Sequence, residues 1–147
     1  IMKQVESIAK SLDKDISFIK ESSKPSNKEI TIESEKTNAS ITFPLMNLLM
    51  VEAQGNYCMF YVCENGNCEN KIMHITMKAV QEKLSEHPQI IRCHKSFIAN
   101  IHHVVKVSGN SRGYALHFEN QEITAPVSRG YQKDVMNSIR NFKDGIL

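Results

Sequence analysis

From Glu29 onward the chain is written in short runs in which apolar and polar residues alternate, with polar turns rich in Asn and Gly between them. A period of two places alternate side chains on opposite faces of an extended strand, which constrains the fold towards antiparallel β-structure. Ile30 and Ile32 alternate within "EITIESE", and "ASITF" follows a short polar turn, so the two segments predict a hairpin. "LLMVEA" (48–53) and "YCMFYVCE" (57–64) flank "QGN", and "ENGNCE" (64–69) is a turn before "NKIMHITM" (70–77). Further on, "QIIR" is a short strand, and "VVKVSG" (104–109), "YALHFE" (114–119) and "EITAPV" (122–127) form a second meander.

Helical spacing occurs in few places. "TMKAVQEKLSEHP" (76–88) predicts a helix capped by Thr76 and ended by Pro88, with Met77, Val80, Gln81 and Leu84 inward. "KSFIAN" (95–100) reads as a single helical turn. A closing helix is expected from about Arg129 to Phe142, capped by Ser128, with Tyr131, Val135, Ile139 and Phe142 on its apolar face. The fold class is therefore mainly β: antiparallel sheets of short strands with one or two short helices. No βαβ alternation appears, which argues against a doubly wound nucleotide fold.

The first 28 residues differ in character. Ile1, Val5, Ile8, Leu12 and Ile19 recur at helical spacing, so an amphipathic helix with a narrow seam is expected over about residues 2–21, with Asp15 in the seam. "ESSKPSNKE" (21–29) is a polar linker, which divides the chain into residues 1–28 and a domain over 29–147. The seam suits pairing of two chains, or a link to an upstream receiver or membrane-linked sensor; a helix packed on its own domain fits the same spacing, and a disordered segment is the remaining reading. No apolar run approaches the roughly 18–20 residues needed to span a bilayer, and the start lacks the layout of a secretory signal, while an upstream membrane segment that tethers the domain stays open.

Charge and cysteines narrow the function classes. The net charge is +2, but residues 87–147 carry eight Lys and Arg against four acids. Four cysteines in 147 residues do not make a dense secreted scaffold, so Cys58, Cys63, Cys68 and Cys93 are read as reduced thiols of a cytoplasmic protein, with two disulfides in an exported domain as the lesser reading. Their spacing of five is not the short Cys-x2-4-Cys pattern of structural zinc, and no metal or other cofactor is expected. Cys93 and His94 are neighbours on a strand and point to opposite faces, so they do not form a nucleophile–base pair, and no enzyme is expected. Phosphate-loop and dinucleotide motifs are absent.

What remains is an anion-gripping pattern. "RCHKSF" (92–97) sets Arg92, His94, Lys95 and Ser96 before an expected helical turn, and "PVSRGY" (126–131) sets Ser128 and Arg129 at a helix start, with Lys133 following. A hydroxyl and a cation at a helix start suit phosphate, and Arg129 is able to fork onto a guanine edge. Two ordinary capped helices with solvated cations fit the same residues.

The combination is more specific. Ile90, Arg92, His94, Ser96 and Asn100, followed by Val127, Ser128, Arg129 and Tyr131, resemble the two signature segments of the LytTR family of DNA-binding domains. "VEAQGNY" (51–57) and "ITMKAVQEKL" (75–84) are similar to that family's strand-loop and helix, and the likeness covers about residues 29–142. Ile90, Ala99 and Gly130 depart from the usual residues. The resemblance implies a bacterial transcription regulator's output domain that binds double-stranded DNA through loops. It implies DNA-binding positions at Asn56, Tyr57, Arg92, His94, Lys95, Ser96, Ser128, Arg129 and Lys133. Within that set Tyr57, Lys95 and Arg129 would read bases, Lys95 and Arg129 in successive major grooves. His94, with Asn100, would scaffold the turn, and Arg92 would do either job. Lys133, Arg112 and Lys106 would meet phosphates. A lowered pKa at Cys93, set between Arg92 and Lys95, is a further expectation. The competing reading is a β-rich protein-interaction module that does not bind DNA.

Overall fold

The structure is a computed structural model that describes residues 27–110, 112–120 and 122–146. The helix expected over residues 2–21 lies outside the described residues. A hairpin of β1 (Glu29–Glu33) and β2 (Ser40–Pro44) is followed by β3 (Leu48–Gln54), β4 (Tyr57–Glu64) and β5 (Asn67–Met73). Then come α1 (Met77–Lys83), β6 (Ile90–His94), β7 (Phe97–Asn100), β8 (Val104–Asn110), β9 (Gly113–Phe118), β10 (Thr124–Val127) and α2 (Gln132–Ile146). Short 3-10 turns stand before β3, before β8 and before α2.

Among the described residues ten strands make three antiparallel sheets: β1–β2, β10–β9–β8, and a central sheet ordered β5–β4–β3–β7–β6. The central sheet separates two apolar cores, and alternation decides which residue enters which. Val51 and Ile98 oppose each other and join Ile32, Phe43 and Phe60 with Val80 and Leu84 of α1. Their neighbours Met50 and Ala99, also opposed, join Leu116, Phe118, Ala125 and Val127 with Val135 and Phe142 of α2. Burial of aliphatic and aromatic side chains on both faces is what requires strands as apolar as Leu48–Val51.

Several boundaries differ from expectation. α1 is capped as predicted, Thr76 Oγ1 accepting from the Ala79 amide at 3.1 Å. It stops at Lys83, ahead of Pro88, because the chain tightens into bonds three residues apart, Ser85 N to Glu82 O at 3.4 Å and His87 N to Leu84 O at 3.2 Å. Gln81 is exposed rather than inward. The expected six-residue turn at 64–69 is a two-residue turn. Asn65 and Gly66 both take positive φ, 54° and 84°, the geometry that matches strand twist in a tight hairpin. β5 therefore begins at Asn67, and Cys63 stands directly opposite Cys68. The two are bonded as a disulfide, so the reading of four reduced thiols is corrected: Cys58 and Cys93 alone are free thiols, both buried.

Candidate nucleic-acid interface

The segment expected as a helical turn, Lys95–Asn100, is instead a hairpin. Phe97, Ile98 and Ala99 pair with Glu52, Val51 and Met50, and that ladder overrides the local helical reading. His94 pairs with Phe97, which leaves Lys95 and Ser96 as the two residues of the turn. The expectation of outward-facing N–H groups at a helix start fails here, because the Ser96 amide donates to His94 Nδ1 at 3.0 Å. The His94 ring meets Phe97 edge-on at 5.4 Å.

Arg92 organises the turn from beneath. Its Nε donates to the His94 carbonyl at 3.0 Å, and its two Nη groups to the Lys95 carbonyl and to Gln81 Oε1, both at 2.6 Å. A guanidinium is the one side chain with donors enough, in a fixed fork, to hold three acceptors at once. Gln81 joins α1 to this turn, a role that sequence periodicity did not separate from a core position. Asn100 is fully buried and donates to the carbonyls of Leu48 at 2.8 Å and Leu45 at 3.4 Å, while its Oδ1 accepts from the His102 amide at 3.0 Å. His94 thus bonds within the turn, whereas Asn100 ties the start of β3 to the segment after β7, at the opposite end of the β6–β7 hairpin.

A bulge between Arg92 and His94 turns Cys93 into the core. The expectation of a lowered pKa there is overturned: burial pushes the thiol up to about 12, a backbone hydrogen bond and the nearby Arg92 charge offsetting only part of this.

Two further loops come to the same end of the central sheet. The Ala53 amide donates to the Ser96 carbonyl at 2.8 Å, so the β3–β4 turn lies beside the β6–β7 turn. Gly55, at φ 63°, makes that turn possible, and Asn56 and Tyr57 are exposed at it. Tyr57 stands against His74 with ring centroids 4.7 Å apart. On the other side the Ser128 amide donates to the Cys93 carbonyl at 3.1 Å, which pins the start of the last helical segment to β6. Ser128 occupies the expected cap position, but its side chain makes no cap bond, and its carbonyl accepts from the Tyr131 amide at 2.9 Å. Arg129 and Lys133 are exposed, and Ser128 and Ser96 are half-buried. Tyr131, Val135, Ile139 and Phe142 pack on the second core as expected.

Tyr57, Lys95 and Arg129, distant in sequence, are thus carried on three adjoining loops. A β-built domain that displays exposed cations and an aromatic ring on loops, while its helices pack inward, is the class that these features define. A solved LytTR DNA-binding domain from Bacillus cereus has a similar fold, with TM-score 0.55 and 22% identity over 75% of this chain and 96% of that one. Residues 38–140 match the LytTr DNA-binding domain family, and the chain belongs to that family. Comparison with curated protein sequences gives no match. Among the described residues no helix is long and apolar enough to cross a membrane.

Proposed function

We propose that residues 29–147 are the sequence-specific, double-stranded-DNA-binding output domain of a bacterial transcription regulator. The observation that carries this is the gathering of Asn56–Tyr57, Lys95–Ser96 and Ser128–Arg129 at one end of the sheet, in a chain of a DNA-binding family. Lys95 and Arg129 enter successive major grooves, and Tyr57 approaches from the third loop. Lys133 meets phosphate. Arg92 and His94 act by shaping the turn that carries Lys95 and Ser96. Arginine suits the edge of guanine through its fork, whereas lysine offers a single donor axis. Residues 1–28 link this unit to its input, a receiver or membrane-linked sensor, or pair two chains, and the protein works in the cytoplasm.

The test is selection of binding sites from a random duplex pool, with the hits titrated at two salt concentrations. An enriched motif is expected, with affinity falling by about 0.9 log units per log unit of salt for each phosphate neutralised. No enrichment and no salt-sensitive binding, in a chain dimerised through its N-terminal segment as well as in the chain alone, would overturn the reading in favour of a protein-interaction module.

A further inference from the structure

The far end of the central sheet carries a feature that DNA binding does not use. Cys63 and Cys68 face each other across the β4–β5 ladder and are covalently joined, both half-buried. They line a groove of about 630 Å³ with Asn65, His103, Glu119 and Asn120. Asn120 Nδ2 donates to Cys68 Sγ at 3.2 Å. The other two thiols, Cys58 and Cys93, are sealed in the cores.

A permanent lock fits this pair poorly. A disulfide constrains the unfolded chain least when the loop it closes is short, and this one bridges residues only five apart. The Asn65–Gly66 turn and the ladder already hold the same two strands in register. In the compartment where transcription regulators work, thiols are kept reduced, and disulfides there are transient or redox-sensing. That last point rests on the DNA-binding reading, whereas the geometry does not.

We propose that Cys63 and Cys68 form a reversible thiol–disulfide exchange site, reached through this groove by low-molecular-weight thiols. The thiolate of one reductant molecule attacks Cys63 Sγ, a mixed disulfide forms, and the Cys63–Cys68 bond breaks. Cys68 leaves as a thiolate, to which the Asn120 amide donates, and then takes up a proton. A donor to the departing sulfur speeds departure, as any lowering of the leaving thiol's pKa does. A second thiolate attacks the reductant's own sulfur in the mixed disulfide and releases Cys63, which is protonated in turn. Two thiols have become one external disulfide, and the protein's disulfide has become two thiols, with electrons and protons in balance.

The test equilibrates the folded full chain in buffers of graded reduced-to-oxidised glutathione ratio, quenches with acid, alkylates and reads the mass. A graded and reversible gain of two alkyl groups, mapping to Cys63 and Cys68, is expected. Cys68→Ser should instead carry one glutathione on Cys63 in the oxidised buffers. A bond that opens only when denaturant is added, or two thiols that never join in the most oxidised buffer, would overturn the proposal. The readout is covalent state, so failure of the DNA-binding reading would leave it untouched, and the reverse also holds.

Discussion

Arg92 and Lys95 are three positions apart, yet they do different work. Lys95 is exposed at the tip of the turn, and Arg92 is spent on the His94 and Lys95 carbonyls and on Gln81. Arg92→Lys keeps the charge but loses the fork. If Arg92 shapes the turn, the lysine variant should bind the selected duplex about as weakly as Arg92→Ala does. Near wild-type affinity for the lysine variant in a salt titration would return Arg92 to plain phosphate contact. Lys95→Ala and Arg129→Ala should each cost about 1–3 kcal/mol on the selected sequence and far less on random duplex. Lys133→Ala should weaken both alike and lower the salt slope by about 1. Equal losses on cognate and random duplex for Arg129→Ala would refute its base-reading role. At this scale the sequence was legible where residue type limits chemistry, as with the hydroxyl of Thr76 that caps α1. It was not legible at Cys93, because flanking cations indicate a reactive thiol only when the thiol is exposed, and a bulge turns this one inward.

The elements show why local reading succeeds in some segments and fails in others. The two helices were legible because their apolar spacing and the Thr76 cap are properties of the segment itself. Lys95–Asn100 was not, since its strand state depends on pairing with β3, which precedes it by more than forty residues. The β4–β5 register, and with it the disulfide, turned on the positive φ of Asn65 and Gly66, which the Asn-Gly pair itself favours; reading 64–69 as one six-residue turn passed over that signal. The β8–β9 hairpin has an equally local requirement. Gly109 has φ 123°, and a Cβ there would lie 2.1 Å from the Gly113 carbonyl oxygen. That oxygen belongs to the backbone, so the chain itself would have to shift to make room. Gly109→Ala should therefore destabilise the domain by more than the roughly 1 kcal/mol of an ordinary glycine substitution, as read by urea denaturation. An unchanged midpoint would show that the hairpin relaxes at little cost.

For the molecule as a whole, its buried titratable groups bound the pH range in which it is stable. Burial raises Cys93 to about 12, and burial helped by Glu35 and opposed by Arg92 raises Cys58 to about 11, both from 9.0. Raised values hold the folded thiols protonated, so their contribution is complete below pH 9 and is lost as pH climbs from there towards 11 and 12. His87 goes the other way. Burial lowers its pKa from 6.5, with Glu86 opposing and Lys28 assisting, so its contribution is present above 6.5 and is lost as pH falls. Denaturation midpoints should form a plateau between about pH 6.5 and 9 with a decline on either side. A curve still rising at pH 10 would contradict the buried state of both thiols.

The amide of Ser128 donates to the carbonyl of Cys93, and that bond helps to fix together two loops more than thirty residues apart in sequence. On the proposed reading the consequence falls on the DNA. A reader whose two contact points are fixed to one another acts as a caliper, and the distance it spans is set before any duplex arrives. One base pair inserted between the two contacted steps would shift the second by about 3.4 Å along the axis and rotate it about the helix. The operator should therefore tolerate substitution in its uncontacted middle far better than any change in its length.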